Sequence, residues 1–505
     1  MPNDHPRPFL PGCPKGCLSG EEQSPAKKQA VNPYLPSWEY LPDAEPHVFN
    51  GRVYIYGSHD LFNGLNFCLG DYVGWSAPLT DLADWRYEGV IFRRTQDPDG
   101  KAHTLFCGMA APDACQGPDG RYYLYYFIGG TGMISVAVCD TPAGQYEYYG
   151  HVQYADRVPI GKKGEPIQFD PAVFIDEDGR IYLYSGFGLA SNPLLLQGGR
   201  PSKHGPMCYE LAPDMLTVRR GPVYIGVKGE AESIGTPYAG HAFLEASSLR
   251  KYDGVYYFVY SSLRSHELCY ATSARPDGGF AYGGVLVSNG DIGLAAPDVK
   301  HALNYTGNTH GGLLRLNGQY YIFYHRQTNR KQFSRQACAE RLRFENGRFL
   351  QAEITSCGLN GGPLAGRGEY EARIACNLFS SQGARFYWAF KGPKGAHPYF
   401  TQSDVDREHS PGQYIANFCN GATAGFKYFA LQKPQTVGVT LRGRAKGRML
   451  VRTALDGAPV ARIPVECGGS PTRFAAHLKP LVGTHALYFT YEGTGRPDFI
   501  SFVLD

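Results

Sequence analysis

The stretch Phe169–Gly186, FDPAVFIDEDGRIYLYSG, holds an acid and a proline at the head of an apolar strand, an Asp-Gly turn, and a return strand ending Tyr-Leu-Tyr. Asp-Gly between two alternating apolar runs is a strong short-range signal for a β-hairpin. The second half of this unit recurs at Asn50-Gly51, Asp119-Gly120, Asp253-Gly254 and Asn317-Gly318, each time with a tyrosine three residues after the glycine. The five glycines at 51, 120, 179, 254 and 318 are separated by 69, 59, 75 and 64 residues. An all-β unit repeated at this period predicts the blades of a five-bladed β-propeller. A second repeat supports it. Val136–Gly144 resembles Tyr270–Gly278, and Trp75–Leu82 is a looser copy; these segments are expected to form outer strands of their blades.

Chemistry-bearing residues stand ahead of the turns. Seven to nine residues before each glycine a polar side chain opens the inner strand: Asp43 (with Glu45 two residues on), Asp113, Asp170, Glu245 and His310. Inner strands of a propeller surround its axis, so the spacing directs acids from four blades and a histidine from the fifth toward one small space. Carboxylates crowded together raise one another's pKa values, an arrangement that serves chemistry better than stability. Read singly, an acid beside proline, such as Asp113 or Asp170, is also an ordinary turn cap.

The chain of 505 residues is long enough for two domains. With 36 Tyr, 63 Gly and only 6 Met, its composition is that of Tyr-rich strands and Gly-rich turns. A net charge of +3 with no basic stripe argues against nucleic acid, and no apolar run long enough to span a bilayer occurs, so no membrane partner is expected. The first thirty residues lack an apolar core of the secretory type, and most of the 13 cysteines stand singly in apolar strands, so a reducing, cytoplasmic location is expected. Cys13 and Cys17 have no second pair to complete a metal site.

These signals divide the chain into a polar tail (1–31), the propeller (32–355), a Gly-rich linker (356–368) and a C-terminal domain (369–505) whose plain alternation predicts a β-sandwich or jelly roll. A loop over Gly186–Pro206 reads as decoration of the rim, and the N-terminal segment is available to add a strand to the last blade.

Two carboxyls on either side of a sugar are what glycoside hydrolysis needs, one to protonate the leaving oxygen and one to activate water or attack. Asp43 or Glu45, Asp170 and Glu245 supply such a set from three blades. Over about residues 32–355 the sequence resembles glycoside hydrolase family 43, the five-bladed arabinofuranosidases and β-xylosidases. Asn32-Pro33 followed by an acid and Pro46 resembles the family's opening, whose Asp is the general base. Asp170-Pro171-Ala172-Val173-Phe174 resembles the motif whose Asp modulates pKa and orients substrate, and Glu245 in Phe243-Leu244-Glu245-Ala246-Ser247 resembles the general acid, with Ala246-Ser247 where Gly-Pro is common. His310 in Asn308-Thr309-His310-Gly311-Gly312 resembles the axial histidine that contacts substrate or a central metal, and Arg335 a substrate-binding arginine. Asp113 is read with His310 and Arg335 as a substrate contact.

The family opening is usually Asp-Pro, whereas this chain reads Asp43-Ala44-Glu45-Pro46. Matching by proline selects Glu45 as base; matching by distance to the return strand selects Asp43. The resemblance implies an inverting, exo-acting enzyme that releases terminal pentose, α-L-arabinofuranose first and β-xylose second, from plant oligosaccharides. It requires no cofactor, although a calcium ion near His310 is compatible with it. The other readings are a non-catalytic sugar-binding propeller and a propeller enzyme of the fructan-hydrolase or phosphorylase type. More weakly, the C-terminal part resembles a family 6 carbohydrate-binding module through Phe426–Phe429 and Asp498–Asp505. The loop expected to carry a sugar-stacking Trp reads Cys467-Gly468-Gly469-Ser470-Pro471, and the region's only Trp is Trp388, so a purely structural domain is the alternative.

Overall fold

The computed structural model describes residues 28–99, 103–104, 107–162, 164–189, 200–384, 397–403 and 412–505. Cys13, Cys17, Trp388 and part of the Gly186–Pro206 loop lie outside them. Four antiparallel sheets of four strands and one of three form the five blades. Blade one holds β1 (Glu45–Phe49), β2 (Arg52–Tyr56), β3 (Tyr72–Pro78) and β4 (Arg86–Phe92), in chain order across the sheet. Blade two holds β5 (Met109–Gln116), β6 (Tyr122–Ile128), β7 (Ile134–Cys139) and β8 (Glu147–His151). Blade three holds β9 (Ala172–Ile175), β10 (Ile181–Ser185), β11 (Met207–Leu211) and β12 (Val218–Tyr224). Blade four is β13 (Phe243–Tyr252), β14 (Val255–Ser262), β15 (Glu267–Ser273) and β16 (Ala281–Ser288). Blade five is β17 (Leu313–Leu316), β18 (Gln319–Thr328) and β19 (Lys331–Leu342). Among the described residues no helix is long and apolar enough to cross a membrane.

Each repeated turn joins the first and second strands of a blade. Asn50-Gly51, Asp253-Gly254 and Asn317-Gly318 are two-residue loops with both residues at positive φ, the primed turn that matches strand twist. In blades two and three the loop is longer, and only the glycine has positive φ. The repeat around Val136 and Tyr270 lies on third strands, β7 and β15, with a fourth strand outside each. The N-terminal segment does not add a regular strand to blade five. It runs along β19 through Tyr34 N–H to the Ala337 carbonyl (3.3 Å), while the Asn32 side chain bonds both the N–H and the C=O of Ala339.

The tail and the linker are packed at their described ends. Ala30 is buried against blade one, and Gln29 bonds Tyr370 and Ala365. In the linker, Ser356 is fully buried and its N–H meets the Lys427 carbonyl (2.6 Å). The C-terminal domain is a ten-stranded sheet that curls round a single core of Phe426, Phe489, Phe499, Phe502 and neighbouring aliphatics. Its longest strands, Thr436–Arg452 and Ala461–His477, are 17 residues each and pair along most of their length. Cys467–Pro471 lies inside the second of them and so forms no sugar-gripping loop.

The two domains share a polar, well-packed contact. Tyr305 of the propeller enters the C-terminal core, Arg326 stacks on Phe400 (3.9 Å), and Asn329 N–H donates to the Phe400 carbonyl (2.8 Å). Lys427, 1% exposed, places Nζ 2.7 Å from Asp291 Oδ2 and 2.9 Å from Glu353 Oε1. Asp291 is fully buried, so removing its cation leaves an uncompensated charge. Lys427→Ala is therefore expected to destabilise the chain by about 3–5 kcal/mol in denaturant unfolding, the usual cost of breaking a buried pair from one side. A loss below about 1 kcal/mol would show that the pair is solvated.

Candidate active site

Strand register explains which inner-strand residues meet. The residues five positions after the turn glycines, Tyr56, Tyr125, Tyr184 and Val259, pair with Glu45, Asp113, Ala172 and Ser248, and Phe323 N–H bonds the Gly312 carbonyl. Glu45 and Asp113 thus occupy one level of the axis. Asp43, Asp170 and His310 lie two residues earlier, at a second level. Asp43 and Asp170 both adopt left-handed backbone, φ 59° and 48°, tolerable for Asp and aimed by the strand entry. Glu245 reaches the same region because the register of β13 shifts between Glu245 and Ser248, with Ala246 at φ 67°.

At the first level Glu45 is a structural anion. Arg250 Nη2 lies 2.7 Å from its Oε2 and Ser248 Oγ donates to the same oxygen (2.9 Å). A Cβ on Gly312 would stand 2.3 Å from this oxygen, so only glycine fits there. Asp113, expected to contact substrate, is fully buried with both oxygens engaged. Oδ1 meets His47 Nε2 (2.6 Å) and the Ala114 N–H, and Oδ2 accepts from Val173 N–H (2.8 Å). The reason is register: Asp113 is the counterpart of Glu45, not of Asp43. Glu45, His47 and Asp113 could together ligate a metal, but the Arg250 guanidinium already supplies the positive charge at that place.

The second level carries the pocket. Asp43 Oδ1 accepts from Arg335 Nη1 (3.0 Å), and Oδ2 accepts from Ser58 Oγ (2.6 Å), whose oxygen in turn accepts from Ala111 N–H (2.7 Å). Burial alone would raise the Asp43 carboxyl; the Arg335 guanidinium and the neighbouring His325 and His310 together outweigh it and hold the group well below the usual carboxylate range. His325, kept neutral by burial, accepts the Asp43 backbone N–H at Nδ1 and bonds the Asn308 carbonyl through Nε2 (2.8 Å). Asp170 accepts from Ala246 N–H (3.0 Å) and lies 3.5 Å from His310 Nδ1; burial, reinforced by the Asp43 charge, raises it. His310 is held protonated by Asp170 and Glu45 against the cost of burial. Glu245 is mostly buried, and among the described residues no ion pair holds it. Burial, then the neighbouring Asp170 carboxylate, pushes its pKa up to about 8.

Several lining residues had not been singled out from sequence. Asp60, fully buried, accepts from Arg335 Nε (2.9 Å), Nη2 (3.0 Å) and backbone N–H (3.0 Å) and from Cys68 N–H (2.9 Å). Phe67 stacks on the same guanidinium (4.9 Å) and Cys68 Sγ lies 3.2 Å from Nη2. A signal existed for two others: Ser58, just past the end of β2, and His325, on β18, each stand seven residues after a turn glycine. Asp60 lies in the loop after β2, where no repeat reaches.

His310 Nε2 and Glu45 Oε1 face each other at 3.7 Å, and both are buried without a hydrogen-bond partner. Glu45 Oε1 is an open carboxylate oxygen of the kind a hard cation takes, whereas His310 Nε2 could ligate only after losing its proton.

A five-bladed propeller with one ionised and one protonated carboxyl facing a common axial pocket defines a glycosidase-type site. The chain belongs to the glycosyl hydrolases family 43, whose model matches residues 46–349. It is 50% identical over 486 residues to a xylosidase/arabinosidase of Thermoclostridium stercorarium, covering 95% of this chain and 99% of that one. It is 31% identical to xylosidase/arabinosidase 43A of Humicola insolens, over 57% of this chain and 88% of the other. An arabinoxylan arabinofuranohydrolase of Bacillus subtilis (strain 168) is 26% identical over 96% of this chain and 95% of its own length.

Asp60 fixes Arg335 by three hydrogen bonds, so Asp60→Asn is expected to let the guanidinium shift and to lower kcat/KM by roughly 10², the scale of a 1 Å misplacement. An unchanged kcat/KM in a folded Asp60→Asn variant would show that Asp43 alone positions Arg335.

Proposed function

We propose that this protein is an inverting, exo-acting glycosidase that releases terminal pentose, α-L-arabinofuranose first, from plant cell-wall oligosaccharides. The carrying observation is the electrostatic split between two carboxyls on one pocket: Asp43 ionised beside Arg335, Glu245 protonated with a pKa of about 8. Different environments that drive two acids apart in pKa assign the base and the acid.

In this reading Asp43 takes a proton from the water that attacks the anomeric carbon, while Glu245 delivers its proton to the departing glycosidic oxygen. Ser58 and Arg335 aim the Asp43 oxygens, and the Asp170 charge keeps Glu245 protonated until the bond breaks. Glu45 contributes indirectly, through Arg250 and His310. A calcium ion on the axis would be held by Glu45 Oε1 and water, with His310 Nε2 joining once it had lost its proton, and would supply fixed positive charge beneath the sugar. β-Xylosidase activity, alone or alongside the first, is the second reading; the xylosidase/arabinosidase names of two relatives favour it. A non-catalytic sugar-binding propeller fits poorly, because it gives no reason to bury Asp43, Asp170 and Glu245 together. No disulfide joins the cysteines of the described residues, which supports the proposed cytoplasmic location.

Turnover of 4-nitrophenyl α-L-arabinofuranoside, β-D-xyloside and β-D-galactofuranoside tests the sugar, and NMR of the first-formed product tests inversion; retained configuration would sink it. Asp43→Asn is expected to lose about 10² or more on both aryl and natural substrates, because a base is needed whatever the leaving group. Glu245→Gln is expected to suffer less on the aryl glycoside, and azide to rescue Asp43→Ala. A dead Glu45→Gln beside an active Asp43→Asn would reverse the assignment of the base.

The pH profile gives a separate check. Glu245 acts in its protonated form, so kcat/KM is expected to fall as pH rises through about 8. That limb should flatten in Glu245→Gln on the aryl substrate. Its persistence there would assign the titration to another group.

A further inference from the structure

One cluster of metal-binding side chains plays no part in the proposed reaction. Glu267 and Cys269 are two residues apart on β15 and so share a face. His241, in the loop ahead of β13, turns its Nδ1 toward them. Nδ1 lies 2.6 Å from Glu267 Oε1 and 3.8 Å from Cys269 Sγ, and the sulfur lies 3.6 Å from the same carboxylate oxygen. The three donors come from three chemical classes, imidazole nitrogen, carboxylate oxygen and thiol sulfur. Ser262 Oγ donates to Glu267 (2.7 Å), Tyr260 OH donates to the His241 carbonyl (2.8 Å), and the Tyr282 ring stacks on the imidazole (centroids 5.2 Å, 23°). These outer contacts fix the ligand orientations, as outer partners do in protein metal sites. Cys269 and Glu267 are buried, whereas the His241 side chain is 21% exposed and leaves an approach from solvent.

We propose that His241, Glu267 and Cys269 form a site for a thiophilic divalent cation of the zinc class. A tetrahedral zinc with a sulfur at ~2.3 Å and nitrogen and oxygen at ~2.0–2.2 Å places its ligand atoms ~3.3–3.8 Å apart. The sulfur–nitrogen and sulfur–oxygen separations already meet this. The nitrogen–oxygen pair must open by roughly 0.7 Å, which is what exchanging a direct hydrogen bond for a shared ion requires. The charges balance: thiolate and carboxylate together offset the dication. On binding, the Cys269 thiol releases its proton to solvent, the proton that His241 Nδ1 shares with Glu267 is lost to solvent or moves to Nε2, and the metal–sulfur, metal–nitrogen and metal–oxygen bonds form. Three protein ligands leave the fourth position for water, on the open side at His241. A hard cation such as calcium prefers an all-oxygen set, so the Cys269 sulfur selects against it here. The bound ion would clip the loop ahead of β13, four residues before Glu245, to the third strand of its blade.

The test titrates zinc, and separately cobalt(II), into untagged, metal-free full-length protein. One equivalent of zinc by calorimetry, a rise in Tm and a cobalt–thiolate charge-transfer band are expected. Cys269→Ser should abolish the band, and Cys269→Ser and His241→Ala should each weaken zinc at least roughly tenfold, the scale on which even outer-shell changes act. The proposal is overturned if the wild type binds no equivalent, if Cys269→Ser keeps the band, or if zinc affinity is unchanged in His241→Ala. Should Cys269→Ser fail to fold, His241→Ala decides alone, because its ring is partly exposed.

Discussion

The Arg335 guanidinium, held between Asp43 and Asp60, is the interaction on which the rest of the structure depends. Arg335 comes from the last strand of the last blade, and the two acids flank the first hairpin of the first. All three are buried, so each charge would be costly alone and is tolerable only with the others present. The same contact therefore closes the ring and sets the electrostatics of the pocket. A propeller has to join its last blade to its first, and here that junction lies within the site.

From this follows the division of labour among the acids. Asp43 stands against a fixed cation and stays ionised. Glu245, on blade four, has no ion-pair partner among the described residues and feels the Asp170 charge. Asp170 is itself tied to His310, which leans in turn toward Glu45 and the lower level. Charge thus alternates along the axis: Arg250, Glu45, His310, Asp170. Four of the five blades contribute one member each, so removing any of them is felt on the blades beside it.

The second domain bears on the same junction. Its Phe400 and Thr401 hold Asn329 at the tip of the β18–β19 hairpin, and Gln402 accepts a hydrogen bond from Tyr40, whose carbonyl receives the Asp60 N–H. Asn329 also bonds Asn63 in the loop that carries Asp60. The curled sheet is thereby a brace behind the strand of Arg335. This structural role needs no sugar-stacking aromatic at Cys467–Pro471, a segment that is part of a paired strand.

What the chain sequence determined by itself is local. Asn-Gly and Asp-Gly with a following Tyr specify hairpins through turn geometry and strand alternation, which involve only neighbours, and five copies at a common period specify the ring. Asp43, Asp170, Glu245 and His310 were legible as candidates because they stand eight or nine residues ahead of those turn glycines. The tertiary structure alone decided the level of each side chain. Asp113 and Glu45 match the acid pattern by counting, yet register pairs them with Tyr125 and Tyr56, two residues along the strand from the pocket. Residues opposite one another in a sheet are set by hydrogen-bond register, and bulges such as the one at Ala246 shift it without any change in spacing that a count could detect. Asp60 and the brace behind Arg335 were equally out of reach, since a loop acid and an arginine 275 positions apart in the chain become partners only when the ring closes.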